Sequence, residues 1–149
     1  MNEVLRSLGT MYNIERAATA IYKAQVRAFR GTEIADKLRA ATVNEQEHAD
    51  NLKARIEELG GTAPRRGFLF QMGGMALGFT TTLLGKMRVL KTDGWVERKA
   101  VKDYSGFLQR VDFDEKSAAL IQKNIEDEKI HIKNWEESIQ ILLKGTTGS

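Results

Sequence analysis

The chain has no cysteine and only one proline in 149 residues. Without Cys there is no disulfide scaffold, no thiolate zinc site, no Cys nucleophile and no iron–sulfur centre held by Cys. One proline argues against a loop-rich all-β fold, whose turns would consume more. Net charge is small as well: 23 basic side chains stand against 20 acidic ones, a formal +3. That excess is too slight to indicate a nucleic-acid partner. No N-terminal run has the basic, apolar and small-residue layout of a signal peptide, so a cytoplasmic location is expected. What the chain does have is apolar content, 42% of its residues. At this length that supports a single domain over 1–149 with a real core.

Apolar residues recur at intervals of three and four and almost never alternate, which predicts an all-α fold. A first helix is expected over Met11–Phe29, preceded by a short turn from Glu3 to Leu8. A second runs from an N-cap at Thr32 to Leu59, where Gly60 and Gly61 stop it. A third covers Trp95–Val111 after a turn at Asp93 and Gly94. The last starts near Asp112 or Asp114 and reaches Leu143, with Gly145 as its stop and a frayed tail from Thr146. Between the second and third helices, Gly67–Gly85 carries no charge and has glycine at 67, 73, 74, 78 and 85. As a membrane span it sits at the lower length limit and is interrupted by Gln71 and three threonines. The flanking cations Arg65, Arg66, Lys86, Arg88 and Lys91 suit a helix lying on an anionic surface. The spacing Gly74-x-x-x-Gly78 suits close burial on the bundle or a homodimer contact.

The chemistry lies in two histidines. Each has a Glu three positions before it, Glu45-x-x-His48 and Glu128-x-x-His131, and that spacing puts both side chains on one helical face. A further helical Glu lies upstream of each motif: Glu15 precedes Glu45 by 30 residues and Glu97 precedes Glu128 by 31. The chain reads as two copies of one unit, a helix with Glu followed by a helix with Glu-x-x-His. All four carboxylates fall in apolar stripes. Glu15 lies with Met11, Ala18, Tyr22, Gln25 and Phe29; Glu45 and His48 lie with Ile34, Leu38, Ala41 and Leu52. Glu97 lies with Val101, Tyr104, Leu108 and Val111; Glu128 lies with Ile121, Ile125, Ile132, Trp135, Ile139 and Leu142. Four carboxylates turned into a core would each cost several kcal/mol, on the order given by ion desolvation, unless something compensates them. Two divalent cations with one imidazole each do so, and an oxygen-rich shell of that kind suits iron, with manganese as the other choice.

With those residues placed, the sequence resembles the ferritin-like superfamily, and within it the demethoxyubiquinone hydroxylases, di-iron monooxygenases of ubiquinone biosynthesis. The segment Glu15–Gln25 is similar to that family's first ligand helix, and Glu45 to His48 with Leu52 to its second. The run from Gly74 and Gly78 to Thr81-x-Leu83-Leu84-Gly85-Lys86 is similar to the family's Gly- and Leu-rich crossover. Glu97 followed by Tyr104, then Glu128 and His131, complete the pattern. Where the family has His directly before that Tyr, this chain has Asp103. The resemblance implies a ferritin-like four-helix bundle with a long apolar crossover between helices 2 and 3. It also implies two irons, with Glu45 and Glu128 bridging, Glu15 and Glu97 terminal, and His48 and His131 on one iron each. Tyr104 is the candidate catalytic residue. The implied partners are O2, a quinone-like or other small hydrophobic substrate, an electron donor, and a membrane surface or second copy met through 67–90, with a peripheral position at the inner face of the membrane. A ferritin-, bacterioferritin- or rubrerythrin-like iron oxidase or peroxidase shares the six-ligand pattern and is the alternative.

Overall fold

The computed structural model describes residues 3–65 and 67–146, and among them there are five α-helices and no strand. These are α1 (Glu3–Gln25), α2 (Glu33–Glu58), α3 (Gly67–Leu83), α4 (Lys86–Arg110) and α5 (Glu115–Thr146), with a single 3-10 turn at Val26–Phe29 after α1. Helices α1 and α2 pack as one pair, α4 and α5 as another, and the pairs face each other to make an all-α, ferritin-like four-helix bundle. Helix α3 joins α2 to α4 and lies along α1. Thr32 caps α2, its hydroxyl accepting from the Ala35 amide. Asp114 does the same for α5, accepting from the Ser117 amide at 3.1 Å.

Three boundaries differ from the sequence expectation. Glu3–Leu8 is not a separate turn before the helix: α1 runs through it to Met11 and beyond. The glycine in that stretch, Gly9, serves packing instead, since a Cβ there would stand 3.0 Å from Pro64 Cγ. Asp93 and Gly94 do not form a turn; both are buried inside α4. Gly94 has no positive φ, whereas Gly85, which precedes α4, has φ 93° and makes the real break. The Asp93 carboxylate accepts a hydrogen bond from Gln25 Nε2 at 2.9 Å, and the same nitrogen contacts Thr81 Oγ1 at 3.1 Å, so three helices meet at one amide. Burial lifts the Asp93 carboxyl to about 8, against the lowering effect of Gln25. Finally, α5 continues past Gly145 to Thr146. Arg66 and the tail positions 147–149 lie outside the described residues.

Helix α3 has two faces. Its glycines meet α1: a Cβ on Gly74 would fall 2.3 Å from the Ala17 carbonyl oxygen, and one on Gly78 would fall 2.6 Å from that of Ile21. The Gly74-x-x-x-Gly78 stripe is thus used within the chain. The other face leaves Phe68, Phe70, Met72, Met75 and Phe79 exposed. Among the described residues no helix is long and apolar enough to cross a membrane. Neighbouring glycines give a clean test of this contact. Gly74→Ala should destabilise by about 3 kcal/mol, because backbone, not a flexible side chain, must move. A Cβ on Gly73 meets nothing within 4 Å, so Gly73→Ala should stabilise by about 1 kcal/mol through helix propensity. Urea denaturation midpoints read both signs.

The apolar core comes in two layers. One gathers Tyr22, Phe29, Leu38, Leu90 and Trp135; the other gathers Leu8, Met11, Leu52, Tyr104, Ile121 and Ile125. In every bundle helix the residue between the layers is a glutamate: Glu15, Glu45, Glu97 or Glu128.

Candidate metal centre

The six residues singled out in the sequence converge between the two core layers. Glu15, Glu45, His48 and Glu128 offer ligand atoms that all lie within 4.8 Å of one another, and so do Glu45, Glu97, Glu128 and His131. Glu45 and Glu128 belong to both groups, Glu15 and His48 to one, Glu97 and His131 to the other. All six are buried, five of them at 1% exposure or less and His131 at 7%.

Both imidazoles turn Nδ1 inward. His131 Nδ1 lies 2.8 Å from Glu45 Oε1, 3.1 Å from Glu128 Oε2 and 3.3 Å from Glu97 Oε1. His48 Nδ1 lies 3.3 Å from Glu128 Oε1 and 3.5 Å from Glu45 Oε2. Of these approaches, His131 Nδ1 with Glu128 Oε2 is a directed hydrogen bond. Both oxygens of Glu45, Glu128 Oε1 and His48 Nδ1 are buried without a directed hydrogen bond. Orphaned buried acceptors demand an explanation, and a divalent cation bound among them is the one this donor set fits: oxygen-rich, with one imidazole nitrogen in each group.

The electrostatics are those of a site that must compensate four carboxylates. Burial raises Glu15 well above the ordinary carboxylate range, reinforced by Glu128 and Glu45. Burial likewise raises Glu97, with Glu45 and Glu128 adding to it. Burial would lower His48, but its carboxylate neighbours Glu128 and Glu45 outweigh that and lift it to about 10. Glu128, Glu45 and Glu97 outweigh the same burial effect on His131 and lift it to about 12. Burial would raise Glu45, yet the close imidazoles of His131 and His48 hold it well below its usual value. Without metal, then, protons on the imidazoles and on the outer carboxyls balance the cluster.

Two tyrosines hold the outer glutamates in an exchanged arrangement. Tyr22 follows Glu15 by seven residues, and Tyr104 follows Glu97 by seven. Each donates to the glutamate of the other unit: Tyr104 Oη to Glu15 Oε1 at 2.6 Å, and Tyr22 Oη to Glu97 Oε1. Burial raises both phenols well above their ordinary values, Tyr104 with help from Glu15 and Tyr22 with help from Glu97, so each keeps its proton to donate. The equal Glu-x6-Tyr spacing was a signal for Tyr22 that the stripe alone did not turn into a role. Asp103 sits beside the site but not in it, half-buried and paired with Lys99 at 2.6 Å.

Asp127 is the residue that sequence reasoning missed. Its Oδ2 lies 3.0 Å from His48 Nε2 and also accepts from Lys123 at 2.8 Å. Burial would raise its carboxyl, but Lys123 and His48 bring it below the ordinary range, so it stays an acceptor. With Nε2–H held on Asp127, Nδ1 is the nitrogen left to coordinate. Asp127→Ala should weaken metal binding in the group containing His48 by about 10- to 100-fold and leave the His131 group little changed. Competition with a chromophoric chelator, resolved into two affinities, checks this; equal weakening of both would contradict it.

A comparison with curated proteins gives no match. Residues 13–141 match the family described as ubiquinone biosynthesis protein COQ7, a range that contains all six clustered residues, both tyrosines and Asp127. By that match and by the bundle that carries it, the chain belongs to the COQ7 family of ubiquinone biosynthesis, a family of di-iron monooxygenases.

Proposed function

We propose that this protein is an O2-dependent di-iron hydroxylase acting on a quinone-like ring. The observation that carries the reading is the pair of overlapping Glu/His groups that share Glu45 and Glu128. In this reading Glu15, Glu45, His48 and Glu128 hold one iron, and Glu45, Glu97, Glu128 and His131 hold the other. The irons, once bound, supply the activation of O2. Hydroxylation balances when one oxygen atom enters a ring C–H bond and the other leaves as water, with two electrons and two protons from a donor.

The chain's own residues do the rest. His48 and His131 give up their protons as metal binds, so loading releases protons. Asp127 orients His48, and the Tyr104 hydroxyl fixes the Glu15 carboxylate from the layer of Met11, Ile121 and Ile125. Tyr104 also keeps a phenolic proton one hydrogen bond from a ligand oxygen, where it can be passed to a reacting group. The two core layers exclude water from the cluster and keep its electrostatics strong. The exposed apolar face of α3, flanked by Arg65, Lys86, Arg88 and Lys91, suits contact with a membrane surface from which a hydrophobic quinone is taken.

The test is single turnover. Protein loaded anaerobically with Fe(II) receives a methoxy-substituted quinol lacking one ring substituent, then an 18O2 pulse. The product should gain one 18O atom per ring, and Tyr104→Phe should slow its formation while still binding iron. Iron oxidation with no labelled product from any quinol tried would refute hydroxylation and leave an iron oxidase.

A further inference from the structure

A groove of about 780 Å3 opens between the C-terminal half of α1 and the N-terminal half of α2, and no residue of α3 lines it. Lys23, Arg27, Arg30 and Arg39 stand around it, Thr19 and Thr42 line it, and it has no acidic lining residue. Only Arg39 has a counter-charge, Asp36 at 2.6 Å on its own helix. The side chains of Lys23, Arg27 and Arg30 make no ion pair or hydrogen bond among the described residues. On other faces of the bundle Lys37, Arg55, Lys99, Lys116 and Lys123 meet carboxylates, whereas this groove gathers three cations that meet none among the described residues.

The dipole of α1 favours positive charge near its last turn, which accounts for Lys23 and Arg27. It does not account for their convergence with Arg39, which lines the same groove from another helix and whose guanidinium meets Asp36. Like charges from two elements converging on one concavity repel unless an anion lies between them. Arginine guanidinium groups bind phosphate oxygens bidentately, and the groove's size falls in the range that takes a nucleotide-sized ligand. The Thr19 hydroxyl donates to the Glu15 backbone carbonyl at 2.8 Å, so the groove lies one helical turn from the carboxylate cluster without touching it.

We propose that this groove binds a phosphate ester or anhydride carrying two or more negative charges. The site stands whether or not the cluster holds iron. Two sources offer that chemistry, a soluble nucleotide-type anhydride and the headgroup of an anionic lipid.

Calorimetric titration of the whole chain with inorganic pyrophosphate at about 0.15 M salt, where long-range attraction is screened, is the primary test. Saturable binding at one site per chain is expected, at least about tenfold weaker in Arg27→Gln/Arg30→Gln and unchanged in Arg98→Gln, an exposed cation on α4. Helicity by circular dichroism verifies that the variants fold. Two further arms identify the source. Competition by ADP, with flotation on phosphatidylglycerol vesicles unaffected by the double substitution, assigns a soluble anhydride. Flotation lost in the double variant and competed by pyrophosphate assigns a lipid headgroup. No saturable binding, or binding the double variant leaves intact, overturns the proposal.

Discussion

Glu128→Gln should abolish binding of both metal ions, whereas Glu15→Gln or Glu97→Gln should remove only one. The difference follows from membership: Glu45 and Glu128 belong to both groups of converging ligands, and the outer glutamates to one each. An amide is isosteric with a carboxylate but carries no charge, so the substitution removes ligand charge without opening a cavity. Loading should fall from about two Fe(II) per chain to near zero in Glu45→Gln and Glu128→Gln, and to about one in the other two. The metal-free proteins should differ little in thermal midpoint. Glu15 and Glu97 are held above the ordinary carboxylate range and can ionise to keep the imidazolium charges balanced once a neighbour is neutralised. Equal loss of metal in all four variants would mean that the two groups do not act as separate, overlapping sites.

The second large effect is a reversal of pH dependence on metal binding. In the metal-free protein His48 and His131 are raised from 6.5 to about 10 and about 12. Groups raised on folding contribute stability that is fully present below their unfolded value and is lost as pH climbs through the folded one. Glu15 and Glu97 are also raised, so their contribution is lost in the same direction, starting above the ordinary carboxylate range. Glu45 is lowered and works oppositely: its contribution is present at neutral pH and is lost on acidification. The metal-free thermal midpoint should therefore fall between pH 6 and pH 9. Metal competes with those same protons, so its stabilisation should grow with pH. At about a thousandfold excess over the dissociation constant it amounts to roughly 4 kcal/mol. Melting curves with and without Mn(II) at pH 5.5 and 7.5 give the comparison. A midpoint shift that is larger at pH 5.5 would contradict the account.

Much of the centre was legible because it violates a local rule. A glutamate in an apolar helical stripe is conspicuous, and four of them at matched spacing locate the site before any fold is known. The helices that carry them were legible for a related reason, since their period survives the polar interruptions. What stayed hidden depends on contacts between helices. Asp127 follows no apolar period and has a role only because α2 brings His48 opposite it. The exchange by which Tyr22 serves Glu97 and Tyr104 serves Glu15 requires α1 and α4 to be neighbours. Asp93 and Gly94 are a strong local turn signal, overridden when Gln25 of α1 supplied the carboxylate with a buried partner. Helix α1 begins before the expected start, and there the missing Cβ of Gly9 is what lets Pro64 approach, a contact between distant segments.

Anomalous diffraction at the iron edge from crystals of the Fe(II)-loaded protein tests the central claim most directly. Two peaks are predicted in each chain, one touching Glu15, Glu45, His48 and Glu128 and the other touching Glu45, Glu97, Glu128 and His131. No peak between the two core layers, or a single one served by the outer glutamates alone, would contradict it.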